Sequence, residues 1–233
     1  MVYLGVTMQQ KFFDSVIKKS TTAKLEITSS VVRNTCTLLA MTILFSAFTA
    51  FISTFTGSSA GSTLSFLFWI PLILLIQKTK NSAWGILAVF ALTGLMGYSL
   101  GPAISQLLSF YKNGAEILIA SLSLTGSIFL TLSCYVILTR KNFNYLEGFL
   151  VVGINIALFV VLMSMVFNFP LSMVVYSSFM VLIASGWILF DVSRILNGGE
   201  QNYIIATIQI YLDLFNLFVN LLNLLTLFAG RKD

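Results

Sequence analysis

The sequence predicts an all-α integral membrane protein, a bundle of seven transmembrane helices, and three observations carry that prediction. Hydrophobic residues make up 58% of the 233-residue chain and charged ones only 9%, against roughly 25% charged residues in soluble domains. The mean hydropathy is +0.95. The apolar residues are gathered into runs of about 20, the length at which a helix crosses the hydrocarbon core of a bilayer. Seven such runs take up most of the chain and leave little room for a separate water-exposed domain.

The elements follow in order. Residues 1–33 are polar and basic and form a cytoplasmic N-terminal tail ahead of a membrane domain, 34–233. In "KFFDSVIKKSTTAKLEITSSVVRN", Phe12, Phe13, Val16 and Ile17 are mixed with basic residues, the composition of an amphipathic helix lying on anionic lipid; a cytosolic partner could also grip this tail. Apolar runs then occupy 34–56, 62–77, 83–105, 115–138, 146–167, 170–190 and 203–229. The first is too long and too far into the chain for a cleavable signal peptide and is retained as a span. Short connections join them: "GSSAG", "KTKNS", a stretch around "LLSFYKNGAE", "TRKNFNYLEG", "NFP" and "RILNGGEQN".

Orientation follows from the basic residues, which collect on the cytoplasmic side. With the N-terminus inside, Lys11, Lys18, Lys19, Lys24, Arg33, Lys78, Lys80, Arg140, Lys141 and Arg194 lie inside and Lys112 outside. The net charge of +5 is therefore topological, and no nucleic-acid partner is inferred from it. The last run stays open. A full seventh span leaves "GRKD" outside, whereas a re-entrant segment returns it to the cytoplasm.

That last run carries a polar stripe. Gln209, Asp213, Asn216, Asn220, Asn223 and Thr226 recur at steps of three and four, so they share one helical face over about four turns. A charge at the bilayer centre costs ~2.5–3.5 kcal/mol even on the lenient insertion scale, so the stripe should face the bundle interior or a wet cavity. The asparagines can act as interhelical glue. Asp213 differs, because a carboxylate has to be protonated, paired or hydrated, and an acid inside a membrane is a functional-site hypothesis by default.

A partner can be sought among the eight acids. Asp14, Glu26 and Asp233 lie outside the runs and Glu200 sits in a loop; Glu116 and Glu147 begin helices, where the dipole favours an acid. Asp191, in "WILFDVSRIL" at the cytoplasmic end of the sixth helix, remains. It either bonds Arg194, three residues along the same face, or meets Asp213. A turn centred on Gly198 and Gly199 sets Asp191 across from residue 206, so Asp213 lies ~10 Å deeper at 1.5 Å per residue and the contact requires a break or offset in one helix. Two carboxylates that do meet cannot both ionise cheaply and would share one proton as a pair. In its ionised form the pair could offer oxygen ligands to a transient Ca²⁺, with stripe amides such as Asn216 and Asn220 and waters completing the shell.

In the third run, "LTGLMGYSLGPAIS" places Gly94, Gly97 and Gly101 on or near one face. Gly97 and Gly101 make the small-xxx-small step that lets another backbone approach, and Pro102 can bend the helix or end its regular part. Cys36 and Cys134 read as small buried thiols without a disulfide. No His is present, which excludes His-based triads, HExxH zinc sites and His-ligated haem; with no P-loop or dinucleotide fingerprint either, no enzyme and no cofactor is expected beyond a permeant or bound Ca²⁺.

Together, "TGLMGYSLGP", "ILFDVSRILNGGEQNY" and "ATIQIYLDLFNLFVNLLNLL" resemble the BAX-inhibitor-1 (transmembrane BAX inhibitor motif) family. "VVRNTCTLLAMTILFSAFTA", "YVILTRKNFNYLEG" and "GGEQNYI" are similar to its bacterial branch, which includes a modulator of the FtsH membrane protease. The likeness covers nearly the whole chain from Val31. It implies a bundle whose last helix is surrounded by the other six, placed in the bacterial inner membrane. It also implies that Asp191 and Asp213 stand where the family's Ca²⁺-leak members carry a di-aspartyl pH sensor. Two functions are thereby expected: modulation of FtsH, or a pH-gated Ca²⁺ leak in which Asp191 and Asp213, with Arg194, hold the closed state.

Overall fold

In the computed structural model the described residues fold into seven helices: α1 (Val2–Thr56), α2 (Ser59–Thr79), α3 (Ala83–Phe110), α4 (Gly114–Thr139), α5 (Leu146–Phe167), α6 (Met173–Leu196) and α7 (Tyr203–Phe228). The structure describes the backbone of residues 2–56, 59–167 and 172–229, and the side chains of residues 26–56, 67–167 and 172–229. Among the described residues six helices are long and apolar enough to cross a membrane: Glu26–Thr56 within α1, and α3 to α7. α2 adds a shorter described apolar stretch, Leu67–Thr79. The chain is a multi-pass membrane protein. α1 runs unbroken through residues 33 and 34, so no helix end marks the tail boundary. The tail's side chains up to residue 25, the "NFP" turn and the C-terminal "GRKD" lie outside the described residues.

α7 is the axis of the bundle. Of its most apolar stretch 61% is buried, against 17% for α4 and for α5, and it touches α1, α2, α3, α4 and α6. Among the described residues α5 packs on α6 alone, so five helices rather than six surround α7. Outward-facing Leu138, Phe159 and Leu182 are exposed, as expected of side chains whose solvent is lipid. Cys36 and Cys134 are exposed free thiols. The sequence placed them inside; a thiol behaves as a small hydrophobe, so lipid covers it as well as protein does.

The glycine face of α3 meets α1. A Cβ added at Gly97 would fall on the Ser46 carbonyl and the Thr49 hydroxyl, one at Gly101 on Ser53, and one at Gly94 on the Phe45 ring. This close approach lets the Ser53 hydroxyl donate to the Tyr98 carbonyl across the interface at 2.7 Å. Pro102 does not end the helix, which continues regularly to Phe110. Gly126 on α4 is the opposite case, with nothing within 4 Å of the added Cβ. Gly97→Ala should therefore overpack the α1–α3 interface and cost about 1–3 kcal/mol, whereas Gly126→Ala should be neutral or slightly stabilising; thermal unfolding in detergent compares the two.

Candidate functional site: a carboxyl pair between α6 and α7

α6 and α7 form an antiparallel hairpin whose turn is held on several sides. α6 stops at Leu196, and Gly198 takes φ 71, a left-handed conformation that glycine adopts without steric cost. The Gly199 N–H returns to the Arg194 carbonyl at 2.8 Å. Asn202 caps α7, its Oδ1 accepting from the N–H groups of Ile204 at 3.0 Å and Ile205 at 3.2 Å. Its Nδ2 donates to the Lys80 carbonyl at 2.9 Å and to Asn81 Oδ1 at 3.0 Å, which ties the turn to the α2–α3 connection. On the other side the buried Ser193 hydroxyl donates to the Lys141 carbonyl at 3.1 Å and accepts from the Phe143 N–H at 3.0 Å, joining α6 to the α4–α5 connection.

Two residues before Ser193 stands Asp191. It is buried, as is Asp213 on α7, and the two carboxyl groups lie within hydrogen-bonding reach of each other. Oδ1 of Asp191 and Oδ2 of Asp213 are buried with no protein donor in reach among the described residues. Two carboxylates offer only acceptors, so a proton between them is what can turn the contact into a hydrogen bond.

The contact forms with both helices continuous, so of the expected break or offset no break is needed. With helix ends at Leu196 and Tyr203, Asp191 stands opposite residue 208, which leaves an axial offset of ~7.5 Å at 1.5 Å per residue. Helical side chains lean toward the N-terminus of their own helix. In an antiparallel pair those leans are opposed, so Asp191 leans deeper into the bundle and Asp213 leans back toward the turn.

Arg194 is not bonded to Asp191. Its Nη2 pairs with Glu200 Oε2 at 3.5 Å, and Glu200 Oε1 accepts from the Asn202 N–H at 2.9 Å. The polar stripe divides: Asp213 and Asn220 are buried, Gln209 and Thr226 half-buried, and Asn216 and Asn223 exposed. Helical geometry accounts for this. At ~100° per residue, Asp213 and Asn220 lie ~60° around the helix from Asn216 and Asn223, so the stripe runs along the border between a covered and an uncovered face. The Asn220 amide donates to the Asn216 carbonyl of its own helix at 2.8 Å rather than bridging to a neighbour. Among the described residues no cluster of three or more His, Cys, Asp or Glu gathers, so protein carboxylates alone supply a cation with no more than this pair.

One buried group escaped the sequence reading. The Tyr211 hydroxyl, half a turn before Asp213, lies 2.6 Å from the Ser46 hydroxyl and donates to the Thr93 carbonyl at 3.3 Å. It binds α7 to α1 and α3 at one point. A tyrosine in an apolar helix gives no warning of such a role, since its partners depend on how the helices are rotated.

Residues 28–230 match the protein family described as "Inhibitor of apoptosis-promoting Bax1". The chain belongs to this Bax inhibitor family. It is 40% identical over 205 residues to the Escherichia coli K12 protein named "Modulator of FtsH protease YccA", a match covering 88% of this chain and 92% of that one. It is 38% identical over 215 residues to an uncharacterized Pseudomonas aeruginosa protein, covering 92% and 96%. A Vibrio cholerae protein described as an uncharacterized membrane protein is 39% identical over 208 residues, covering 85% and 89%. The family match contains the Gly94–Gly101 packing face, the α6–α7 turn and both aspartates.

In this member of the Bax inhibitor family the carboxyl contact can be tested by a double-mutant cycle. At a pH high enough to remove a proton shared by the pair, Asp191→Asn and Asp213→Asn each supply an amide donor in its place, so each should raise the unfolding midpoint. The double variant should gain less than the sum, with a non-additivity of about 0.5–3 kcal/mol. Independent residues would add within about 0.5 kcal/mol.

Proposed function

We propose that this protein modulates the FtsH protease from within the bacterial inner membrane, with its N-terminus in the cytoplasm, and that it does so by binding rather than by catalysis. The observation that carries this reading is the 40% identity to the E. coli FtsH modulator along 88% of the chain. The arrangement of the turns supports it. Asn202 and Ser193 join the α6–α7 turn to the α2–α3 and α4–α5 connections, and Lys78, Lys80, Arg140 and Lys141 are exposed around them. A partner holding this end of the bundle would meet one linked surface. Orientation follows from the bias of basic residues toward that end. The test is co-purification with FtsH from cells, together with the lifetime of a membrane substrate of the protease. Association and a longer substrate lifetime are expected on overproduction; no association and an unchanged lifetime would remove the reading.

A second reading, a pH-sensitive Ca²⁺ path, is supported by the contact of Asp191 with Asp213 on the central helix. A shared proton would hold α6 against α7, and its loss as pH rises would set two carboxylates against each other, open the contact and expose oxygen ligands for a passing cation. Asn at either position keeps a hydrogen bond without titrating. Ca²⁺ flux into proteoliposomes should therefore depend on pH in the wild type and much less in Asp213→Asn or Asp191→Asn. Identical pH profiles would exclude the gate.

A further inference from the structure

α5 is the outermost helix: among the described residues it packs on α6 alone, burying Leu150, Gly153 and Ala157. Near its middle, on the outside, stands an amide. Asn155 is exposed, ~140–160° around the helix from those three buried residues at 100° per residue. It is nine positions from Leu146 and twelve from Phe167, or ~13.5 Å and ~18 Å at 1.5 Å per residue, so its side chain lies in the hydrocarbon core. A hydroxyl in a span can turn its O–H to its own helix, as Thr125 and Ser185 do. An amide has more to satisfy, with two N–H donors and a carbonyl oxygen. The Asn155 Nδ2 donates to the Val151 carbonyl at 2.8 Å; its second N–H and its Oδ1 meet no partner among the described residues.

The amide belongs to a heptad. Gly148, Val151, Asn155, Leu158, Leu162 and Met165 recur at steps of three and four, and all six are exposed. A Cβ added at Gly148 meets nothing within 4 Å. With Gly148, Asn155 and Leu162 at the a positions and Val151, Leu158 and Met165 at d, this is the seam of a parallel two-stranded coil, with its one polar residue at a central a position. The seam runs ~25 Å at 1.5 Å per residue, most of the ~30 Å hydrocarbon core. No charged residue lies on it; Glu147 is turned ~100° away from Gly148.

We infer that this face of α5 binds the same face of a second copy of the chain, in a parallel homodimer centred on a reciprocal pair of Asn155 amides. Copies of one chain share an orientation in the membrane, as the bias of basic residues requires. Their α5 helices therefore run parallel, and Asn155 meets its own counterpart at one depth across a two-fold axis. Each amide donates its free N–H to the other's Oδ1 and keeps its bond to Val151, so every polar atom of both has a partner. That complementarity selects a second copy over acyl chains, which offer neither donor nor acceptor, and over an unlike helix, which would have to carry an amide at the same depth. Apolar side chains gain little by leaving lipid for one another, so the amide pair supplies the drive and sets the register. The open Gly148 lets the two backbones approach near the start of α5. The dimer calls on neither the carboxyl pair nor FtsH.

Disulfide cross-linking of the full-length protein provides the test, with Cys36→Ala and Cys134→Ala removing its own thiols. The purified chain is reconstituted in vesicles of phosphatidylethanolamine and phosphatidylglycerol and oxidised. Val151→Cys, Leu158→Cys and Leu162→Cys, each introduced singly, should give linked dimers in several-fold higher yield than Ile154→Cys and Ile156→Cys, whose native side chains are similarly exposed but lie off the seam. Asn155→Leu and, separately, Asn155→Ala should cut the Leu158→Cys yield at least several-fold in protein that keeps its unfolding midpoint. Equal yields on and off the seam would overturn the inference, as would an undiminished yield in either Asn155 variant. In bacterial membranes the same cysteines should again link the chain to itself; linkage to another polypeptide instead would assign the face to an unlike partner and overturn the inference too.

Discussion

A carboxyl group in hydrocarbon has to be covered, and α7 carries one near its middle. Meeting that need determines where the other helices go. Leaving Asp213 toward lipid would cost several kcal/mol, a large share of the stability of an ordinary domain. Burying α7 among α1, α2, α3, α4 and α6 removes the exposure. Asp191 then stands in the place where the second acid of the hairpin can meet it, and α5 is left at the periphery on α6.

The remaining contacts hold that arrangement in place. Gly97 and Gly101 bring α3 onto α1 closely enough for Ser53 to reach the Tyr98 carbonyl, and the α1–α3 pair in turn offers Ser46 and Thr93 to Tyr211. α7 is thus fixed in rotation by one hydroxyl on its apolar side and by Asp213 on its polar side. At its start, Asn202 both caps the helix and ties the turn to the α2–α3 connection. A partner acting on those connections would act on the same hairpin that holds the carboxyl pair, which gives the two functional readings a common mechanical element.

Much of this was legible in the residues. The seven apolar runs correspond to the seven helices, the period of three and four showed that the polar groups of α7 share a line, and elimination among eight acids led to Asp191. What the sequence could not supply was rotation and partner identity. A period says which residues share a face; it does not say where the edge of a neighbour falls, so the division of the stripe into buried Asp213 and Asn220 and exposed Asn216 and Asn223 needed the packing. Arg194 looked like a partner for Asp191 because three residues separate them on one helix, but a turn that doubles back brings Glu200 nearer. The axial offset between Asp191 and Asp213 is bridged without a break in either helix, because the opposed leans of their side chains supply the reach. Ser46 and Tyr211 are common residues in apolar helices and carry no signature of their junction.

The central claim is that Asp191 and Asp213 touch inside a continuous α6–α7 hairpin. The chain has four aspartates, and the other two, Asp14 and Asp233, lie near its ends. Labelling aspartate carboxyl carbons with ¹³C therefore gives a sparse solid-state NMR spectrum of the protein in lipid. Dipolar recoupling should show a direct cross-peak between the Asp191 and Asp213 carboxyl carbons, assigned by the loss of one partner in each Asn variant. Resolved signals from both residues with no coupling between them would contradict the account.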